Sequence, residues 1–335
     1  MPEACIADAL GWVAHAAGTH LFVVKGILAL LVVCSLCGSV GAMVVGNRMA
    51  FFSDAMAHCA FAGVALGFLS VLVLGTDNKA TAAWLVPLVM VAFGVLVGVG
   101  MILVRERTGL AHDTVIGVFF ALALGFGAML TKMVQNVSSV NLETFLFGSL
   151  VLVDELDLVY LCVVLALMCA LFLWRYNQLM FASFNPSLAR TRRMSVTLNN
   201  YLFIILLALV VNLSIKAVGA LLINALLIVP AAAAANVSRT LRQMFWLTIA
   251  FCLGAGGLGY WLSSQFTISV GNQRVDFSPS GTIVVVSVAG FFLSMAAVAA
   301  WNRFAPIFGG RQFQQFHRHG PDDPCGDDHP FGQCP

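Results

Sequence analysis

The sequence predicts an all-α integral membrane protein, a polytopic bundle of eight or nine transmembrane helices. Composition is the first ground: 60% of the 335 residues are hydrophobic and 10% charged, against about 45–50% and 25% in a soluble domain. The apolar residues also come in runs of about 20, the length that crosses roughly 30 Å of hydrocarbon. Finally, 17 Lys and Arg against 15 Asp and Glu leave a net charge of +2, which gives no electrostatic footprint for nucleic acid. A water-soluble globule is excluded, and the lipid bilayer is the first partner.

Seven runs read as single spans: 21–45, 49–74, 83–104, 114–133, 156–174, 246–263 and 282–301. Residues 201–235 form one nearly unbroken apolar stretch, too long for one helix of about 20 residues and a little short for two. Two spans are predicted there, with a tight break within 212–219, where Asn212, Ser214, Lys216 and Gly219 cluster. Residues 142–153 are apolar but too short to cross, and read as a re-entrant or interfacial piece. Pro230 is expected to kink or end its helix near the cytoplasmic face.

With nine spans, Arg48, Arg105, Arg107, Arg175, Arg190, Arg192, Arg193, Arg239, Arg242, Arg303, Arg311 and Arg318 all fall on one side. That side is assigned to the cytoplasm; eight spans break the agreement. The division is then a short extracytoplasmic amino-terminal segment (1–20), a transmembrane domain (21–303) and a cytoplasmic tail (304–335). Residues 1–20 carry Glu3 and Asp8 and lack the basic start of a cleavable signal peptide.

Of the nine cysteines, Cys34, Cys37, Cys162, Cys169 and Cys252 are among those inside apolar runs, which is not a secreted disulfide framework. Cys34 and Cys37 form a C-x-x-C within the first span and read as small helix-packing residues. The tail holds His317, His319, Cys325, His329 and Cys334 among Gly, Pro and Asp. His and Cys in such a tract can bind metal. The spacing matches no closed zinc site, and a solvated terminus with too little apolar surface to fold alone is the plainer reading.

Asp54 and His58 carry the sharpest signal. Their separation of four residues places both on one helix face. If Arg48 marks the inner interface, Asp54 lies about 9 Å and His58 about 15 Å into the membrane. Ionisable groups at that depth face a partner or a water-filled path. A carboxylate and an imidazole one turn apart suit zinc, manganese(II) or iron(II) with half the coordination shell open; a hydrogen bond that only ties helices together fits the same spacing. Gly254-Ala-Gly-Gly-Leu-Gly259 matches G-x-G-x-x-G but lies inside an apolar span without βαβ context. Like Gly63 with Gly67 and Gly94 with Gly98, it reads as close helix packing. No G-x-x-x-x-G-K-[ST] occurs, so any ATP that drives this chain is held by another subunit. Glu143, Lys216 and Asn224 are the remaining polar residues at or near membrane depth. Lys216 reads equally as a snorkelling side chain or as part of a gate, and Glu143 as a gate residue or a solvated charge.

Four stretches resemble the permease subunits of metal-uptake ABC transporters, the class of ZnuB-type zinc permeases and their manganese and iron(II) relatives. They are Arg48-Met-Ala-Phe-Phe-Ser-Asp-Ala-Met-Ala-His58 with Gly63 and Gly67, Leu142-Glu-Thr-Phe-Leu-Phe-Gly-Ser-Leu150, Phe184-Asn-Pro-Ser-Leu-Ala189, and Ile215-Lys-Ala-Val-Gly-Ala-Leu-Leu-Ile-Asn-Ala-Leu-Leu-Ile-Val-Pro-Ala231. The likeness covers about residues 21–302 in consistent order. It implies an ABC importer permease fold in the bacterial inner membrane, with Asp54 and His58 as the metal ligands. The implied partners are a second copy of the chain, a cytoplasmic ATP-binding subunit and an extracytoplasmic metal-binding receptor. ATP hydrolysis belongs to the separate subunit; no cofactor is bound permanently, and the transported divalent ion, zinc first, is cargo. Asn185, Pro186, Ser187, Leu188, Ala189 and Arg190 correspond to the loop that meets the ATPase, with Asn185 where Asp is common and Arg190-Thr-Arg-Arg-Met194 where Gly is usual. A manganese or iron(II) permease of the same family and a proton-coupled secondary transporter are the rival readings.

Overall fold

The computed structural model describes residues 21–47, 49–74, 79–135, 155–184, 196–265, 267–270, 273–276 and 278–304. The segments of Glu143, of Asn185 to Arg190 and of the tail histidines and cysteines lie outside them, as does Arg48. Among the described residues the chain forms nine helices long and apolar enough to cross a membrane. They are α1 (Leu21–Gly46), α2 (Ala50–Val73), α3 (Lys79–Thr108), α4 (His112–Gln135), α5 (Glu155–Phe184), α6 (Val196–Val218), α7 (Ala220–Val237), α8 (Leu241–Gln265) and α9 (Pro279–Phe304). Nine crossings leave Arg105, Arg107, Arg175, Arg239, Arg242 and Arg303 at the same face, the cytoplasmic one by charge.

Helix α1 is the axis of the bundle. Its span is 78% buried against 22% for α9, and it packs against α5, α6, α7 and α8. On one flank α2 packs between α3 and α4; on the other, α7, α8 and α9 pack mutually. Lipid tails are as apolar as leucine, so these contacts depend on close fit rather than on exclusion of water. Gly63 and Gly67 show how: a methyl on either would come within 2.9 Å of a Cα atom of α3, at Met90 and Val86. Gly94 and Gly98 of α3 face Asn212 and Ile204 of α6. In the Gly254 to Gly259 run, Gly256 lies against Cys34 and Gly259 against the Ile283 backbone of α9, while Gly254 and Gly257 have open space. Cys34 and Cys37 are buried free thiols inside α1.

The long apolar stretch divides at Gly219 alone, whose φ of 89° ends α6 and starts α7. Glycine takes that left-handed backbone without a Cβ clash. Asn212, Ser214 and Lys216 are inside α6. Pro230 sits inside α7, which runs on to Val237, so it does not end the helix. One element was not expected from sequence: a two-stranded antiparallel hairpin, β1 (Thr267–Val270) with β2 (Gln273–Asp276), between α8 and α9 on the outer side.

Candidate functional site

Helix α2 has twelve buried residues, all between Phe52 and Gly67. One stripe departs from this: Phe51 is 69% exposed, and Asp54, His58 and Phe61 are half-buried. These positions recur at three- and four-residue steps, so they share a face. Cys59, one residue on, turns into the core and is fully buried, so the site is a carboxylate and imidazole face without a thiol.

Asp54 and His58 do not bond to one another. Asp54 Oδ1 accepts a hydrogen bond of 2.8 Å from Asn224 Nδ2 on α7, and His58 packs edge-on to the Phe120 ring of α4, with ring centroids 4.9 Å apart at 86°. The simple Asp to His tie is therefore not what the helix uses. Asn224 Oδ1 is buried without a hydrogen-bond partner, an arrangement that costs a few kcal/mol in an apolar setting unless an additional group satisfies it. Asn224 belongs in turn to a stripe of α7 that is not closed over: Leu221 is 48% exposed, and Ala225 and Ile228 are half-buried. Helix α2 thus brings a carboxylate and an imidazole, and α7 an amide oxygen, to one partly open face in the inner half of the bundle, with the Phe120 ring of α4 beside the imidazole.

Lys216 lies elsewhere. Its Nζ is 2.5 Å from Asp157 Oδ1 at the start of α5, and the two side chains are only 23% and 7% exposed. One helical ruler gives the depth of this pair. Tyr201 Oη donates to Glu106 at the inner end of α3, and fifteen residues of α6 raise Lys216 about 22 Å above it. In a core of roughly 30 Å this leaves the pair below the outer headgroups. Lys216 is the largely buried ion-pair partner of Asp157 on α5, while the Asp54 carboxylate is held by Asn224 on α7. Sequence reading missed Asp157 and Phe120. Asp157 carried a signal, as the acidic residue three positions into a span from Glu155.

The sequence profile of the ABC 3 transport family matches residues 19–298. The chain belongs to that family. Among relatives, the manganese import system permease protein ScaB of Streptococcus gordonii is 29% identical over 276 residues, 82% of this chain and 91% of that one. The high-affinity zinc uptake system membrane protein ZnuB of Haemophilus influenzae is 31% identical over 257 residues, 76% of this chain and 89% of that one. Among solved structures, PsaBC from Streptococcus pneumoniae in complex with Fab aligns with TM-score 0.66 at 28% identity, covering 82% of this chain and 91% of that one. The fold is therefore an ABC permease of the metal-uptake class and a multi-pass protein of the bacterial inner membrane. Family members are the permease subunits of importers whose ATPase is a separate subunit.

Proposed function

We propose that this chain passes a divalent transition metal, zinc first, across the membrane as half of a permease dimer, with Asp54 and His58 holding the ion in transit. The observation that carries the reading is the partly open stripe: a carboxylate and an imidazole one turn apart, in the inner half of the bundle, on a face of α2 that this chain leaves only half-buried. Facing lipid, such groups are costly. Covered by a second copy, two carboxylates and two imidazoles come together, a donor set that closes a tetrahedral zinc shell. Asn224 orients the Asp54 carboxylate, and its unpartnered oxygen offers a further acceptor to the ion or to a bound water. Nitrogen and oxygen donors serve zinc, manganese(II) and iron(II), and the affinity order places zinc above manganese. Relatives named for manganese and for zinc keep both metals in the test. The driving subunit is a cytoplasmic ATPase and the donor of the ion an extracytoplasmic metal-binding receptor.

The test is accumulation of zinc, manganese and iron(II) by metal-starved cells expressing the chain with its ATPase, comparing wild type with His58→Ala at equal membrane levels. Selective uptake of one metal that the substitution abolishes is the expected result. Uptake that survives it reduces Asp54 and His58 to packing residues, and flux driven by a pH gradient without the ATPase favours a secondary transporter instead.

A further inference from the structure

A second open feature lies away from α2, α4 and α7. Between α5 and α8, with Ser35 and Ser39 of α1 as its floor, runs a groove of about 880 Å³. Its two ends differ in chemistry. Leu165, Met168, Phe172 and Ile249 line the part within the bilayer, while Arg175, Arg242 and Tyr176 gather at the cytoplasmic end. Ten residues of α5 separate Leu165 from Arg175, a rise of about 15 Å, so the groove runs from the inner headgroups to about mid-membrane.

The polar end is arranged and unsatisfied. Arg175 Nη1 donates to Gln178 Oε1 at 2.9 Å, and the guanidinium carbon lies 4.8 Å from the centre of the Trp174 ring, a cation–π contact. Among the described residues no carboxylate pairs with Arg175 or Arg242. The Tyr176 hydroxyl is buried with no hydrogen-bond partner, while its ring is held by Phe245 at 5.3 Å. Trp174 and Trp246, 76% and 61% exposed, flank the mouth at the level where interfacial tryptophans sit. Two guanidinium groups without a carboxylate partner among the described residues and an orphan hydroxyl above an apolar trough match one kind of molecule: an anionic phosphodiester on acyl chains, which the cytoplasmic leaflet supplies.

We propose that this groove binds an anionic phospholipid of the inner leaflet, its phosphate held by Arg175, Arg242 and the Tyr176 hydroxyl and an acyl chain laid along Phe172, Leu165 and Ile249. The groove uses α1, α5 and α8, and the proposed dimer face uses α2, α4 and α7. A second copy docked on that face leaves the groove open to lipid. The lipid site itself does not depend on the metal reading.

The experiment is native mass spectrometry of the purified full-length chain after exchange against equal amounts of phosphatidylglycerol and phosphatidylcholine. Wild type is expected to retain the anionic lipid with roughly tenfold or greater preference, from two arginines near the surface. Arg175→Gln with Arg242→Gln is expected to bring the ratio near unity, and Tyr176→Phe to lower it a few-fold. If the double variant does not insert, Cys169→Phe, which fills the trough and keeps both arginines, must lower the retained lipid instead. Equal retention of the two lipids by wild type overturns the proposal, as does a preference that survives the substitutions. Displacement by millimolar inorganic phosphate would reassign the groove to a free anion, and loss of a dimer in place of lipid would reassign it to a protein contact. Metal flux enters none of these readouts, so failure here and failure of the transport reading are told apart.

Discussion

The bundle carries ionisable groups at membrane depth in two places and treats them in opposite ways. In its outer half, Lys216 and Asp157 neutralise one another across α5 and α6, both largely buried. In its inner half, Asp54 and His58 sit on an open stripe, one bonded to an amide and the other to an aromatic edge, with Asn224 Oδ1 left over. A closed pair needs nothing further and fixes two helices. An unsaturated donor set in lipid is stable only when something completes it, which is why depth alone does not identify a transport site and leftover donor capacity does.

The comparison breaks most directly at the open site. His58→Ala and Asp54→Ala are each expected to reduce ATP-dependent metal accumulation by about a hundredfold or more, since each removes a proposed ligand from both copies. Membrane levels and thermal unfolding should stay close to wild type, because neither side chain fills the core. Parallel loss of folded protein and of uptake would instead place the pair with Lys216 and Asp157.

The closed pair should show the reverse pattern. Asp157→Asn leaves the Lys216 ammonium buried without its counter-charge, at an expected cost of about 3 kcal/mol, read as a drop in unfolding temperature of the purified chain. Asp157→Leu combined with Lys216→Met removes both charges and is expected to recover most of that loss together with uptake. If the double variant is stable but transports nothing, the pair belongs to the transport cycle and the contrast with the inner site collapses.

Between these lies Asn224, which touches the open site without being one of its charges. Asn224→Ala frees Asp54 and removes the extra oxygen, and should weaken metal affinity about tenfold, the scale of a group that orients a ligand. Half-saturating metal should rise with little change in maximal rate. A loss as large as that of His58→Ala would make Asn224 a ligand in its own right.

Much of this was legible in the chain itself. Hydropathy gave the nine candidate spans found among the described residues, because a span must be apolar for its whole length. The Asp54 and His58 register was legible because a four-residue step fixes a helix face. What joined them was not. Asn224 is 170 positions from Asp54 and Asp157 is 59 from Lys216; local pattern carries no information on pairings across the bundle. Similarly, the cluster from Asn212 to Gly219 signalled a break, but only the positive φ of Gly219 shows which residue makes it. The β1–β2 hairpin escaped notice because four-residue strands between two long apolar runs leave too short a period to read.

The smallest expected effect tests where the donor set ends. Cys59 adjoins His58 in sequence, and a thiolate would shift metal choice toward softer ions. In the helix, however, it turns about 100° away from His58 and is fully buried, on the core side of α2 rather than on the open stripe. Cys59→Ala is therefore expected to leave the ratio of zinc to manganese uptake within about twofold of wild type, with at most about 1 kcal/mol lost from packing. Competition between the two metals in the same cells measures that ratio. A marked swing toward manganese would mean that α2 rotates during transport to bring the thiol into the shell, and the open stripe would then be one of two faces that the helix presents to the ion.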